Sequence, residues 1–285
     1  MLRKLSLLCG IALVMALAAC SSLDKAEQLY QQGEKDKATD IAIGFLDSSD
    51  KGERTRAADL LGKIGGDKAG KALTEKIDDP DPEVQATIIV NVGKTGYTPA
   101  SAKLVKMVPD ARGEIFEAVG KAIRQLGDPA ISLLVEDFHA PSKKASQEQI
   151  KKMLVYIGPG VTESIARSMK NKSYFENKAN FDILIEIRNP AVASMMLPYI
   201  EDEEVAHLVV EGLTKLGSMA VDPVMEKLRI VSQASGNAAL KERLVKVLGQ
   251  IKDPRATTIL EPMSQDESDL VRQAVDRALY QIRGF

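Results

Sequence analysis

The sequence predicts an all-α protein built from stacked pairs of helices, and three observations support this prediction. Hydrophobic residues make up 45% of the 285 residues, yet aromatic residues make up only 4% and there is no Trp. A core of Ala, Leu, Ile, Val and Met suits close-packed helices better than aromatic-rich sheets. Similar short stretches also recur along the chain, and their apolar residues repeat with helical spacing.

The recurring stretches are aligned on one residue each, which usually follows the Leu or Ile that closes a helical run. In "LGDPA", for example, Gly127 is expected to end one helix in a left-handed turn, with Asp128 capping the next helix and Pro129 in its first turn. Successive aligned residues lie 29 to 35 positions apart, mostly 30 or 31, which predicts an array of helical repeats. We call these residues the marks: Gly65, Gly96, Gly127, Gly158, Arg188, Gly217, Lys252 and Arg283.

Two columns of apolar residues precede the marks and predict the buried side of one helix per repeat. Asn180 is the one polar member of these columns. A second apolar stripe follows each mark, so that every repeat is predicted to contain two helices. The column four residues before the marks contains Leu61, Val92, Ile123, Leu154, Leu184, Leu213, Leu248 and Leu279; the column eight before them contains Ala57, Ile88, Val119, Ile150, Asn180, Val209, Leu244 and Val275. The second stripe is illustrated by Ala69, Leu73 and Ile77, by Val192, Met196 and Ile200, and by Val221, Met225 and Leu228.

The turns between the two helices of a repeat are acidic and rich in Pro, and Asp or Ser is expected to cap the second helix there. Together with the marks, Gly127-Asp128-Pro129, Asp81-Pro82-Glu83-Val84 and Ser268-Asp269-Leu270-Val271-Arg272 resemble HEAT repeats, particularly the short kind found in bilin lyases. The resemblance covers about residues 50 to 285 and implies a right-handed α-solenoid of about seven to eight helical hairpins. The segment 141–190 departs from the pattern, with "PSKKASQEQ" and "NKSYFENKANF" in place of the usual turns.

The first residues have the three-part pattern of a secretory signal: a basic start, an apolar run from Leu5 to Leu17, and small residues after it. The sequence Leu17-Ala18-Ala19-Cys20 resembles the lipobox of bacterial lipoproteins. That resemblance implies a signal peptide over residues 1–19 and acyl chains on Cys20, and two or three such chains hold a protein stably on a membrane. Ser21, in place of Asp, implies the periplasmic face of the outer membrane if the host is Gram-negative.

Residues 20–48 are expected to contain the lipidated cysteine, a short tether and a helix pair. In this segment Ala26, Tyr30, Gly33 and Ala38 have the spacing of a tetratricopeptide helix pair, which would cap the array. Residues 49–285 are expected to form the HEAT-like repeats.

The sequence predicts no catalytic group, metal site or cofactor, and we expect the protein not to be an enzyme. The two histidines, His139 and His207, have no His or Cys at ligand spacing. Cys9 would leave with the signal peptide and Cys20 would be acylated, so no free thiol would remain. A net charge of −2 gives no general attraction to nucleic acid.

Surface residues of the repeats are the remaining candidates for function. Positions two and six before each mark face away from the apolar columns, on the helix that usually lines the concave side of HEAT-like solenoids. We call this set the ladder; Val90 and Tyr156 are unusual members of it, acidic members are concentrated in the fifth and sixth repeats, and basic ones dominate elsewhere. The alternative is an ordinary solvated helix face. The candidate protein-binding residues are Lys63, Lys94, Lys121, Lys152, Tyr156, Lys215 and Lys246.

The function that these observations favour is a scaffold on the cell envelope. It would be attached to a membrane through its lipid and would bind one or more unidentified protein partners over an extended surface, without binding nucleic acid. Two alternatives remain open. One is an enzyme subunit of the HEAT-type lyase kind, and the other is a structural spacer with no specific partner.

Overall fold

A computed structural model describes residues 22–169, 173–234 and 236–284, and all the regular secondary structure in these ranges is helical. The chain divides into two compact units, the first ending at Met153 and the second beginning at Leu154. The predicted all-α class, with helices repeated in pairs along the chain, is confirmed.

The first unit begins with a helical hairpin and continues as alternating helices. The division between the units falls inside the ninth helix, α9 (Gln147–Ile157). The helices before it are α1 (Ser22–Gln31), α2 (Lys35–Phe45), α3 (Lys51–Ile64), α4 (Gly66–Glu75), α5 (Pro82–Thr95), α6 (Ser101–Met107), α7 (Gly113–Leu126) and α8 (Asp128–His139).

The second unit continues the alternation, with short 3₁₀ turns extending several helices. Its helices are α10 (Thr162–Met169), α11 (Tyr174–Ile187), α12 (Ala191–Met196), α13 (Ala206–Leu216), α14 (Ser218–Ser232), α15 (Ala238–Ile251), α16 (Thr257–Leu260) and α17 (Asp269–Arg283). Every odd-numbered helix from α3 to α17 ends at a mark, and we call these the mark helices. Each is preceded by an even-numbered helix of the same repeat.

The marks are the points where the backbone turns left-handed. Gly127, for example, has a φ of 71° between the last residue of α7 and the first residue of α8. Two marks are not glycine, and Arg188 and Lys252 nevertheless have φ of 57° and 60°. The last mark was placed one residue too early, because α17 includes Arg283 and the left-handed residue is Gly284.

The apolar columns form the core that the sequence predicts. All sixteen members are buried, including Asn180, which is fully inaccessible. The stripe on the even-numbered helices is also buried, with one correction: on α14 the buried stripe includes Val221, Val224 and Leu228, whereas Met225 is half-exposed. Val224 lies three residues after Val221 and replaces Met225 on the buried side of the helix.

Only some of the predicted helix caps are present. Asp81 caps α5, since its carboxylate accepts hydrogen bonds from the backbone N–H groups of Glu83 and Val84 at 3.0 and 3.3 Å. Asp128 lies inside the first turn of α8 and does not cap it, because Gly127 occupies the capping position. Ser268 precedes α17 without a side-chain cap.

Neighbouring mark helices approach closely where glycine lies three residues before the mark. A Cβ built on Gly93 in α5 would lie 2.6 Å from the Cα of Ala122 in α7, and one built on Gly249 in α15 would lie 2.7 Å from the Cα of Ala278 in α17. These distances are shorter than van der Waals contact, so the two helix pairs need glycine at these positions.

Two buried ion pairs occur at the same place in two different repeats. Arg54, eleven residues before its mark, donates from Nε and a terminal nitrogen to the carboxylate of Asp79 at 2.8 and 3.0 Å. Lys241 also lies eleven residues before its mark, and its Nζ donates to Asp266 at 2.9 Å. Both carboxylates belong to the turn before the next mark helix, so each pair ties a helix to the neighbouring repeat.

The Lys241–Asp266 pair is nearly inaccessible to solvent, with 4% and 9% of the two side chains exposed. Burial by itself would raise the pKa of Asp266. The hydrogen bond from the Ser268 N–H and the contact with Lys241 outweigh burial and hold that pKa below its ordinary value.

Candidate functional site: two grooves on the ladder face

The structure places the predicted ladder residues on the exposed side of the mark helices. Within the described ranges, the six candidate lysines are exposed and Tyr156 is half-buried. Tyr156 also takes part in an interaction within the protein. In each unit we call this side the ladder face. Whether these residues bind a partner stays a prediction.

A third ladder position, ten residues before the mark, neutralises several of the lysines. It lies four residues before position six and therefore shares its face of the helix. Glu117 and Glu148 occupy it and form ion pairs with Lys121 at 3.6 Å and Lys152 at 3.9 Å.

The acidic residue Glu211, which is itself a member of the ladder, also neutralises a lysine. Lys215 forms an ion pair with it at 2.6 Å. The hydrogen bond from Lys215 lowers the pKa of Glu211, and the same contact raises the pKa of Lys215. The pattern of lysines seen in the sequence therefore overstates the positive charge of this face.

A groove crosses the ladder face of the first unit between α3, α5 and α7. It has a volume of about 230 Å³. Its lining includes Lys94 and Lys121, but also Asp59, Glu114 and Glu117. Three carboxylates and two ammonium groups give this first groove a net charge of −1. The basic character that the sequence predicted for this unit is absent from its groove.

At the floor of the first groove, Asn91 is buried and satisfied by its surroundings. Its side-chain amide donates to Asp59 at 2.8 Å and to the Thr87 carbonyl at 2.9 Å, while its oxygen accepts from Lys94 at 2.9 Å. The hydrogen bonds hold Asp59 and Lys94 in fixed positions. Half-buried Val90 lies beside them and supplies an apolar contact.

A second groove crosses the ladder face of the second unit between α13, α15 and α17. It consists of two adjoining depressions of about 400 and 240 Å³ that share Lys246, Gln250 and Gln281. The charged residues that line the two depressions are Glu211, Lys215, Glu242, Lys246, Lys252 and Arg277. With His207 neutral, the second groove has a net charge of +2.

Several residues that line the grooves were not predicted from the sequence, although their positions could have been. Glu117, His207 and Glu242 all lie ten residues before a mark, one helical turn from position six. Extending the ladder by that turn would have identified them. Glu114 and Lys252 could not be found in this way, because they lie outside the four-residue spacing.

The predicted lipid attachment site Cys20 and the signal peptide 1–19 lie outside the described residues. In the part of the chain that the structure describes, no helix has the length and apolar character needed to cross a bilayer. The same ranges contain no cluster of three or more His, Cys, Asp or Glu side chains arranged to hold a metal ion.

Comparison with known proteins identifies the repeats. Residues 36–124 match the family model of HEAT repeats, and the match begins inside α2. No curated protein sequence matches the chain. HEAT repeats are therefore present in the first unit.

Among solved structures, human deoxyhypusine hydroxylase in complex with glycerol is 16% identical, with a TM-score of 0.36 over 90% of this chain and 99% of that chain. An engineered protein is 16% identical, with a TM-score of 0.32 over 90% of each chain. The complex of CpcE and CpcF of phycocyanin lyase from Nostoc is 18% identical, with a TM-score of 0.35 over 85% of this chain and 94% of that chain.

Proposed function

For a chain that contains HEAT repeats, we propose the function of a lipid-anchored scaffold of the bacterial cell envelope that binds protein partners and has no catalytic activity of its own. HEAT repeats generally mediate protein–protein interaction over extended surfaces. The observation that carries the proposal is the pair of grooves, since each one crosses three successive mark helices on the ladder face. A partner laid along such a groove would touch side chains from three repeats at once.

The proposed anchor is the acylated Cys20. The helix α1 begins at Ser22, two residues after this cysteine, so the lipid would hold the first repeats close to the membrane surface. In a Gram-negative host, Ser21 favours the inner leaflet of the outer membrane, facing the periplasm.

Membrane fractionation of the Cys20→Ala variant tests the anchor. We expect the wild-type protein in the membrane fraction and the variant in the soluble envelope fraction, because the lost acyl chains supply the membrane affinity. A Cys20→Ala protein that stays on the same membrane would overturn lipid anchoring. Ser49→Ala, at an exposed position in the turn between α2 and α3, controls for damage caused by mutation alone.

Cross-linking in intact cells tests the scaffold. We expect the protein to form specific cross-linked products with one or a few envelope proteins, identified by mass spectrometry. A structural spacer would give no reproducible partner, and this result would contradict the proposed function.

A further inference from the structure

We propose that the second groove binds an acidic polypeptide segment in an extended conformation. The proposal rests on the proposed scaffold function and specifies the chemistry of one partner. It follows from the charges at the rim of the groove, from the hydrogen-bonding groups at its floor and from its dimensions.

Three cations at the rim are exposed, namely Lys246, Lys252 and Arg277. Within the described ranges, none of them forms an ion pair. The backbone of Lys252 is in the left-handed conformation at the end of α15. The Nε of Arg277 donates to the Gln273 carbonyl at 3.1 Å, which fixes the start of the guanidinium group and leaves its terminal nitrogens available.

The two acidic residues of the second groove lower its net charge to +2, and neither forms an ion pair with these three cations in the described structure. Glu211 is engaged by Lys215 at 2.6 Å. Glu242 lies one turn before Lys246 on α15 without pairing with it in the described structure. An acidic segment would bring its own carboxylates to the cations, which is the complementary arrangement expected at a protein interface.

The floor of the groove offers amide and hydroxyl groups to a peptide backbone. The Thr214 hydroxyl lies 2.8 Å from the Val210 carbonyl and 3.0 Å from the side-chain oxygen of Gln250, and its single proton is donated to one of these two oxygens. The exposed side-chain amide of Gln250 lines both depressions. Gln281 presents a second exposed amide on the next mark helix. Each amide can donate to a carbonyl and accept from an N–H of an extended chain.

The dimensions of the groove suit a short extended segment. Packed helices lie about 8–10 Å apart, so α13, α15 and α17 together span roughly 20 Å. An extended chain advances about 3.4 Å per residue and would cross this distance in about six residues. Among the described residues that line the groove there is no Phe, Tyr or Trp, whereas single-stranded nucleic acids are bound largely by stacking on such rings. These features favour a polypeptide.

Fluorescence anisotropy with the full-length protein in detergent tests the proposal. The probes are fluorescein-labelled peptides of alternating Asp and Ser, the same peptides with Lys in place of Asp, and a labelled oligothymidylate. We expect the acidic peptide to bind and the basic peptide not to bind. Raising the salt concentration should weaken the acidic complex, because exposed ion pairs are screened.

The Lys246→Glu/Arg277→Glu variant is expected to bind the acidic peptide about tenfold more weakly. The matched control is Lys71→Glu/Lys106→Glu, which reverses two exposed cations on α4 and α6, outside both grooves, and is expected to change the affinity by less than about twofold. If charge reversal lowers the melting temperature, Lys246→Gln/Arg277→Gln removes the same charges without adding repulsion, and a similar loss is expected.

Equal binding by wild type and by the second-groove variants would overturn the proposal, as would equal binding of the acidic and basic peptides. Tighter binding of the oligothymidylate would assign the groove to nucleic acid and would also overturn it. Cellular cross-linking to a protein partner, with no affinity for the acidic peptide, would refute this specificity while leaving the scaffold function in place. Absence of any cross-linked partner would refute the scaffold itself.

Discussion

The repeats of the first unit and the α11 region of the second unit use different side chains where neighbouring helices pack together. Helices α3, α5 and α7 have Gly62 and Gly93 at their contacts, and these glycines let the helices approach closely. Around α11 the core instead contains three aromatic rings and two buried asparagines. The regular repeats therefore pack through small residues at the helix contacts, whereas the irregular repeat packs through large side chains.

The aromatic cluster of the second unit joins two helices and a 3₁₀ turn. Tyr174 stacks on Phe181 with ring centroids 5.0 Å apart, and Tyr199 meets Phe181 edge-on at 5.5 Å. The Tyr174 hydroxyl donates to the Leu208 carbonyl at 3.3 Å, which links α11 to α13. Such pairs stabilise a core beyond the burial of their area.

Asn180 occupies a column position where the other repeats are apolar, and the structure shows how it is tolerated. Its amide donates to Asn177 and to the Ser168 hydroxyl, both at 3.4 Å. The amide of Asn177 donates to the Met169 carbonyl at 3.3 Å. Buried amides with partners cost far less than unpaired ones, so the polar break in the column is compensated locally.

The largest expected effect comes from removing one ring of the aromatic cluster. Phe181→Ala should lower the free energy of unfolding by about 3–5 kcal/mol, because it removes a fully buried ring and leaves a cavity. Chemical denaturation measures this loss. Phe175→Ala, which truncates a ring that is 59% exposed on the same helix, is the matched control and should have little effect. Equal losses for the two variants would contradict the structural role of the cluster.

A smaller loss is expected at the close helix contact of the first unit. Gly93→Ala should lower the free energy of unfolding by about 1–3 kcal/mol, since the added methyl group would lie 2.6 Å from the Ala122 Cα. Gly44→Ala on α2 is the control, where an added Cβ meets nothing within 4 Å. Because Ala favours helix over Gly, this control should stabilise the protein by up to about 1 kcal/mol. Stabilisation by both substitutions would refute the close contact.

Alkaline pH should affect the α11 region through Tyr174. Burial, followed by the nearby charges of Asp182 and Glu211, raises the pKa of Tyr174 to about 12 from an ordinary value of 10.0. The unfolded chain therefore releases this proton at lower pH than the folded protein, and stability should fall as the pH rises from 10 towards 12. Tyr174→Phe should weaken this dependence in pH-resolved denaturation. An unchanged dependence in the variant would exclude Tyr174 as its source.

The smallest expected effect is at the mark that ends α11. Arg188 has a φ of 57°, where the regular repeats of the first unit have glycine. Arg188→Gly should raise the free energy of unfolding by up to about 1 kcal/mol, because glycine adopts this backbone conformation without steric strain. Thermal denaturation would detect the increase. A lower free energy of unfolding would show that contacts of the Arg188 side chain stabilise the protein by more than its left-handed backbone destabilises it.

Sequence patterns predicted the turns at the marks and the buried columns well, because both features are determined by neighbouring residues in the chain. The turns at the marks and the buried columns depend on residues within one or two helical turns, and seven of the eight marks coincide with a left-handed residue. The misplaced mark at Arg283 and the choice of Met225 over Val224 are shifts of a single residue. The first lies at a helix end, where boundaries shift by one or two residues. The second lies inside α14, where residues three and four positions after Val221 both fall on its side of the helix, so periodicity alone allows either.

The remaining features depend on contacts between repeats, which the patterns do not encode. Arg54 meets Asp79 from 25 residues away, and their separate charges gave no sign of the pairing. The charge of each groove also depends on which neighbours face it. Glu114 and Glu117 oppose the lysines of the first groove, whereas Lys252 and Arg277 add to those of the second.

Site-specific photo-cross-linking in cells tests most directly the central claim that partners bind on the ladder face. A photoreactive amino acid would replace Val90 on α5 or, as a control, Leu133 on α8, which is also apolar and half-buried but belongs to an even-numbered helix. In the second unit, Tyr156 on α9 would be compared with exposed Ile230 on α14. The account predicts partner cross-links from Val90 or Tyr156 and none from the two controls. Cross-links from Leu133 or Ile230 alone would contradict it.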